Sequence, residues 1–116
     1  MPREWPFTVV FYRLDSGREP VRDWLRGLDK EAKKIIGEDV KTLQLGWPLG
    51  MPVARKLGPD LWELRSSVNR GITRICFTVI GRQIVLLHGF EKKTQRTSAR
   101  DLSLARRRFR DLRSDR

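Results

Sequence analysis

The sequence is poor in the side chains that most hydrolytic and redox chemistries need: among 116 residues there is one His and one Cys. Cys76 alone forms no intramolecular disulfide, and its place in the apolar run Ile75 to Ile80 suits a small buried side chain in a reducing cytosol. There is no CxxC, no HExxH and no adequate ligand set for zinc, and the phosphate-loop pattern G-x-x-x-x-G-K-[ST] is missing. A Ser-His-Asp triad would have to be built on His88, in Val85-Leu86-Leu87-His88-Gly89-Phe90, with no G-x-S-x-G nearby. No metal and no small-molecule cofactor is therefore expected. Nowhere do about 18 apolar residues run together, and the opening Met-Pro-Arg-Glu-Trp-Pro has no stretch of signal-peptide length. The expectation is a cytoplasmic protein with no membrane partner.

Acidic residues are also scarce. Lys and Arg total 25 against 14 Asp and Glu, a net charge of +11. Charge of that size on so short a chain repels itself on compaction and points to a polyanionic partner: RNA, DNA or an acidic protein. A hydrophobic content of 39% supports one modest core, so residues 1–116 are read as one domain. The aromatics sit in regularly patterned segments and Pro and Gly are not in excess, which favours a folded protein over a basic disordered tail.

Phe7 to Tyr12 is rich in β-branched and aromatic residues and ends at Asp15-Ser16-Gly17, which predicts a strand and a turn. Pro20 suits the first turn of a short helix with Val21, Trp24, Leu25 and Leu28 on its apolar side. Asp29 can cap a second helix carrying Ala32, Ile35, Ile36, Val40 and Leu43 on one face, stopped by Gly46-Trp47-Pro48, so the two make an αα-hairpin. After a loop to Pro52 the pattern turns to strand: Val53 to Leu57, Leu61 to Ser66, Ile72 to Ile80 and Gln83 to Phe90. Gly58-Pro59-Asp60 and the two-residue signal Gly81-Arg82 mark an antiparallel meander, its two shortest strands counting as one or two. Thr97 or Ser98 then caps a last helix, Asp101 completes a capping box with Ser98, and Leu102, Ala105, Phe109 and Leu112 form an apolar stripe. The order predicts an α+β domain with the helices packed on one face of a twisted sheet and the other face open. Strand alternation sets Arg65 and Glu63 opposite Trp62 and Leu64, and Arg74 opposite Ile75, Phe77 and Val79, so Arg65 and Arg74 are expected to share the open face.

On or beside the meander stand Lys56, Arg65, Arg70, Arg74, Lys92 and Lys93. RNA carries its own nucleophile, the 2′-hydroxyl. A protein can therefore cleave it by aligning that oxygen, stabilising the phosphate charge and exchanging protons. The Arg fork suits the phosphate, and neighbouring cations lower a Lys pKa toward proton exchange, as in the pair Lys92-Lys93. The residues themselves read as metal-independent RNA cleavage or as RNA binding without cleavage.

The ordered set Lys56-Leu57, Leu61-Trp62-Glu63-Leu64-Arg65, Gly71-Ile72-Thr73-Arg74-Ile75 and Leu86 through Gln95 resembles the phage-derived HigB-like branch of the RelE/ParE toxin superfamily. The match extends back to Pro20 to Leu25 and on through Thr97 to Ala105-Arg106-Arg107. The resemblance implies a RelE-like fold and the toxin of a type II toxin-antitoxin system. It would be a ribosome-dependent endoribonuclease that enters the decoding site, contacts rRNA, cuts mRNA and is silenced by a helix-turn-helix, HigA-like antitoxin. It further implies that Arg65 and Arg74 meet the scissile phosphate, that Lys92 or Lys93 exchanges a proton, and that Lys56, Arg70, Thr94 and Gln95 contact RNA. Several members carry a Tyr or His beyond the last strand, where this chain has Thr94, Gln95 and Thr97, so the general base has no assigned residue.

Plainer readings exist. Arg65 and Arg74 can be partners for Glu63 and Asp60, Lys92 and Lys93 can guard a strand end, and His88, Trp24 and Trp62 can be core residues. Arg106, Arg107, Arg108 and Arg110 fall on different sides of the last helix and either solubilise it or meet rRNA or an acidic antitoxin segment. Two other function classes fit the same chain: a ParE-like inhibitor of DNA gyrase and a non-enzymatic RNA-binding module.

Overall fold

The computed structural model describes residues 6–49, 53–69, 71–92 and 97–114, the side chains of Lys92 and Ser114 excepted. Five strands and three helices follow in the order β1 (Thr8–Phe11), α1 (Pro20–Arg26), α2 (Lys30–Gly46), β2 (Ala54–Gly58), β3 (Leu61–Val68), β4 (Gly71–Ile80), β5 (Gln83–Lys92) and α3 (Ala99–Ser114). The local signals act where the sequence places them. Pro20 opens α1, and the Gly27 N–H closes it on the Trp24 carbonyl at 3.1 Å. The Asp29 carboxylate accepts from the Ala32 N–H at 2.8 Å and so starts α2. Ser98 Oγ accepts from the Asp101 N–H at 3.1 Å at the start of α3. The two tight turns need left-handed backbone, supplied by Asp60 at φ 56° and Gly81 at φ 59°.

The sheet order is β1-β5-β4-β3-β2. Strands β2 to β5 form the expected antiparallel meander, with β2 and β3 as separate strands. β1 joins β5 in parallel, Val10 opposite Val85, and so covers the meander's far edge. The fold is α+β.

The expectation that all helices lie on one sheet face is corrected. Helices α1 and α2 cover one face with Val21, Ile36 and Leu43, packed on Leu64, Ile75, Phe77, Ile84 and Leu86. α3 covers the other, where Ala105, Leu102, Phe109 and Leu112 pack with Tyr12, Leu61, Cys76, Val85 and Leu87. The reason is in the central strands. Ile84 to Leu87 is apolar at every position, as is Ile75 to Phe77, so both faces of β4 and β5 need cover. A register shift in the β4–β5 pair, from Cys76↔His88 to Phe77↔Leu86, leaves Leu87 without a cross-strand partner. Its carbonyl accepts from Arg108 Nη1 at 2.8 Å instead, which ties α3 to the sheet.

Candidate functional site

The segment leading into α3, from Thr97 to Asp101, lies over a layer of charge beside the apolar cluster. Alternation along β3 and β4 turns Glu63, Arg65 and Arg74 toward the α3 side, with Cys76 beside them. Arg74 Nη1 lies 2.9 Å from Glu63 Oε1, and both side chains are 0% exposed. Two charges taken this far from water persist only when paired and further hydrogen-bonded. The Thr97 hydroxyl supplies that further bond by donating to the second Glu63 oxygen.

One turn on, Ser98 Oγ donates to Asp101 Oδ2 at 2.7 Å, and Asp101 Oδ1 lies 2.8 Å from His88 Nε2. A carboxylate only accepts, so Nε2 carries the imidazole proton. Burial lowers the His88 pKa, and the Asp101 hydrogen bond and charge oppose that shift without overcoming it. Burial first, and Glu63 second, push the Cys76 thiol up to about 12, so it is a neutral packing group.

Arg65 stands directly opposite Arg74 in the β3–β4 register. It is half-buried and borders a shallow depression of about 360 Å³, shared with Ile35, Asp39, Val53, Ser67 and Ile72. Its Nε is buried and has no hydrogen-bond partner among the described residues. Arg74 lies on the same sheet face, as expected, but that face is not open there. The expectation of an open Arg74 is corrected, because a fully buried guanidinium held by Glu63 presents nothing to solvent.

Lys56 stands on the sheet face opposite Arg65. It pairs with Trp62, on the α1/α2 side, whereas its neighbour Arg55 pairs with Glu63 and shares the Arg65 face. Arg55 is exposed. Strand parity identifies Arg55 only once the β2 register is known, and the local pattern of Val53 to Leu57 does not fix that register. Lys92 closes the β5 ladder opposite Ile72. The Lys92 side chain, Lys93, Thr94, Gln95 and Arg70 lie outside the described residues.

Several residues of the quoted pattern hold the scaffold. Glu63 and Thr97 secure Arg74, and Asp101 holds His88. Gly89 lies under Trp24 of α1 so closely that a Cβ there would sit 2.4 Å from Trp24 Cε3. A carboxylate amid the apolar strand Leu61 to Leu64 was the available signal for Glu63, since a buried acid demands a cation on a neighbouring strand. Among the described residues no three His, Cys, Asp or Glu side chains come together in a way that could hold a metal ion. No helix among them is long and apolar enough to cross a membrane.

Fold and site together describe a small basic α+β protein with a shallow depression bordered by Arg65 and Asp39. The family model for phage derived protein Gp49-like (DUF891) matches residues 23–110, and the chain belongs to that family. This is a phage-derived, toxin-like family, consistent with a toxin-antitoxin role and implying an antitoxin partner. Comparison with curated proteins gives no match.

Proposed function

We propose that this chain is the toxin of a type II toxin-antitoxin pair. In this reading it has a RelE-like fold of the HigB-like branch and is a ribosome-dependent, metal-independent mRNA endoribonuclease. The observation that carries the reading is Arg65: a cation bordering an open depression, with an unpartnered buried Nε and a buried ion pair beside it. Arg65 receives the scissile phosphate, where its fork stabilises the charge that builds as the 2′-hydroxyl attacks phosphorus and the 5′-oxygen leaves. Arg74 does not touch the phosphate. It acts through Glu63 as a positioning residue that keeps the β3–β4 pair rigid beneath Arg65. Lys92 and Lys93 serve proton exchange, and Arg70, Thr94 and Gln95 serve RNA contact, as the resemblance implies. Lys56, on the other side of the sheet, belongs to general charge attraction. The partners are mRNA, the ribosomal decoding site and a helix-turn-helix antitoxin.

Primer extension on mRNA from a translating extract tests this. Codon-phased cuts are expected with the purified protein and should vanish when ribosomes are omitted. Arg65→Ala should lower cleavage by about 10² or more, the scale of losing a transition-state donor, with an unchanged melting curve. Intact mRNA together with inhibited gyrase supercoiling would replace this reading by the ParE-like one. RNA binding without cuts would replace it by the binding module.

A further inference from the structure

The arginines of α3 do unlike things. Arg108 is structural: it is bound to the Leu87 carbonyl, and its guanidinium lies over the Tyr12 ring at 5.8 Å. Arg106 and Arg110 are exposed and wall a slot of about 220 Å³ between α3 and the β2–β3 turn, with Gly58, Pro59, Leu61 and Phe109 as its apolar floor. Gly58 makes room for this arrangement. A Cβ at that position would lie 3.2 Å from Arg106 Nη2. Phe109 also borders the adjoining depression of about 390 Å³, shared with Asp60, Thr78 and Arg113, and Arg113 lies 5.7 Å over its ring. No ion-pair partner for Arg55, Arg106 or Arg110 occurs among the described residues.

The seam continues toward Arg65. Arg55 shares the α3 side of β2 with Leu57, about 7 Å further along at roughly 3.3 Å per residue, and Leu57 packs against the α3 cluster beside Gly58. Guanidiniums with no ion-pair partner among the described residues therefore run from Arg55 to Arg106 and Arg110, beside a ring on an apolar floor, and Arg65, whose depression Asp39 also borders, lies on the same face of the adjacent strand. That is the pattern of single-stranded nucleic acid sites, where Arg forks hold phosphates and aromatic faces hold bases. An acidic helix fits less well. The slot of about 220 Å³ offers an aromatic ring between two guanidiniums, which suits one flat base with its flanking phosphates better than a run of carboxylates.

Resting on the RNA reading above, we infer that the seam between α3 and the β2–β3 turn is a second RNA contact. One base lies against Phe109, Arg106 and Arg110 hold neighbouring phosphates, and Arg55 leads the strand to Arg65. The probe is a labelled single-stranded oligoribonucleotide with 2′-O-methyl groups, which has no 2′-nucleophile and so reports binding without cleavage.

Fluorescence anisotropy across salt is expected to show about tenfold or greater loss of affinity in Arg106→Gln/Arg110→Gln. Its log–log salt slope should fall by about 1.4, two phosphates at about 0.7 each. Phe109→Leu keeps an apolar floor but loses the ring, and should weaken binding about tenfold. Wild-type affinity and slope in the double variant overturn the inference. So does loss of binding to a Glu-rich peptide while the oligoribonucleotide still binds normally. If the double variant melts early, Phe109→Leu decides, and undiminished binding there overturns the inference. Unchanged binding alongside Arg65-dependent cleavage removes this surface alone. Weakened binding in a protein that leaves mRNA intact keeps the surface and removes the endoribonuclease.

Discussion

The two faces of the sheet are built by different physics. Under α1 and α2 the contacts are apolar: Val21, Ile36 and Leu43 on Leu64, Ile75, Phe77, Ile84 and Leu86, with Trp47 closing the end of α2 edge-on to Trp62 at 4.9 Å. Each such side chain contributes roughly 1.5–3 kcal/mol on burial without demanding a particular partner. Under α3 the apolar stripe covers only part of the contact. The rest is Glu63–Arg74, Thr97–Glu63 and His88–Asp101, where each group has an assigned partner. A buried ion pair adds little net stability over an apolar replacement, but removing one member is costly. The first face therefore carries stability. The second trades some of it for fixed geometry next to Arg65, the residue proposed to meet the phosphate.

The largest expected effect comes from breaking the polar face. Glu63→Ala leaves the Arg74 charge buried and alone, and urea denaturation should show a loss of about 3–5 kcal/mol. The double replacement Glu63→Leu/Arg74→Met should recover most of that stability while reducing cleavage. Equal stability of the single and double variants would show that the pair does not carry the cost.

On the apolar face, Gly89→Ala forces a Cβ against the Trp24 ring and should cost about 1–3 kcal/mol by overpacking. Adding Trp24→Leu should relieve that clash, so a double variant no more stable than Gly89→Ala would argue that Trp24 is not the obstacle.

The smallest effect is the one with pH. The His88 pKa is depressed in the folded protein, so the unfolded chain binds more protons as pH falls below the ordinary imidazole value of about 6.5. Its contribution is complete above that value and is lost as pH drops through the lower, folded value. Melting curves of His88→Gln should consequently be less pH-dependent than wild type below about pH 6.5. Parallel profiles would place the acid sensitivity elsewhere.

Much of this was legible in the chain itself, because it rests on contacts a few residues apart. Asp29 at the start of α2, Ser98 with Asp101, Pro20 in the first turn of α1, and the turns at Asp60 and Gly81 act as their spacing predicts. Alternation likewise put Arg65 and Arg74 on a common face, since a strand has a period of two whatever lies above it. Periodicity does not say which face is covered. That depended on α3 returning across the sheet from the side opposite α1 and α2, which buried Arg74 while Arg65 kept access to solvent. Nor could it supply the register of β2, which sets Arg55 and not Lys56 on the Arg65 face, or the parallel docking of β1 on β5. Those outcomes rest on pairings between distant segments, where burial and hydrogen bonding across the whole sheet select one arrangement from several that the local pattern permits. Residue type and parity were written locally, while the access of each cation to solvent was set by packing.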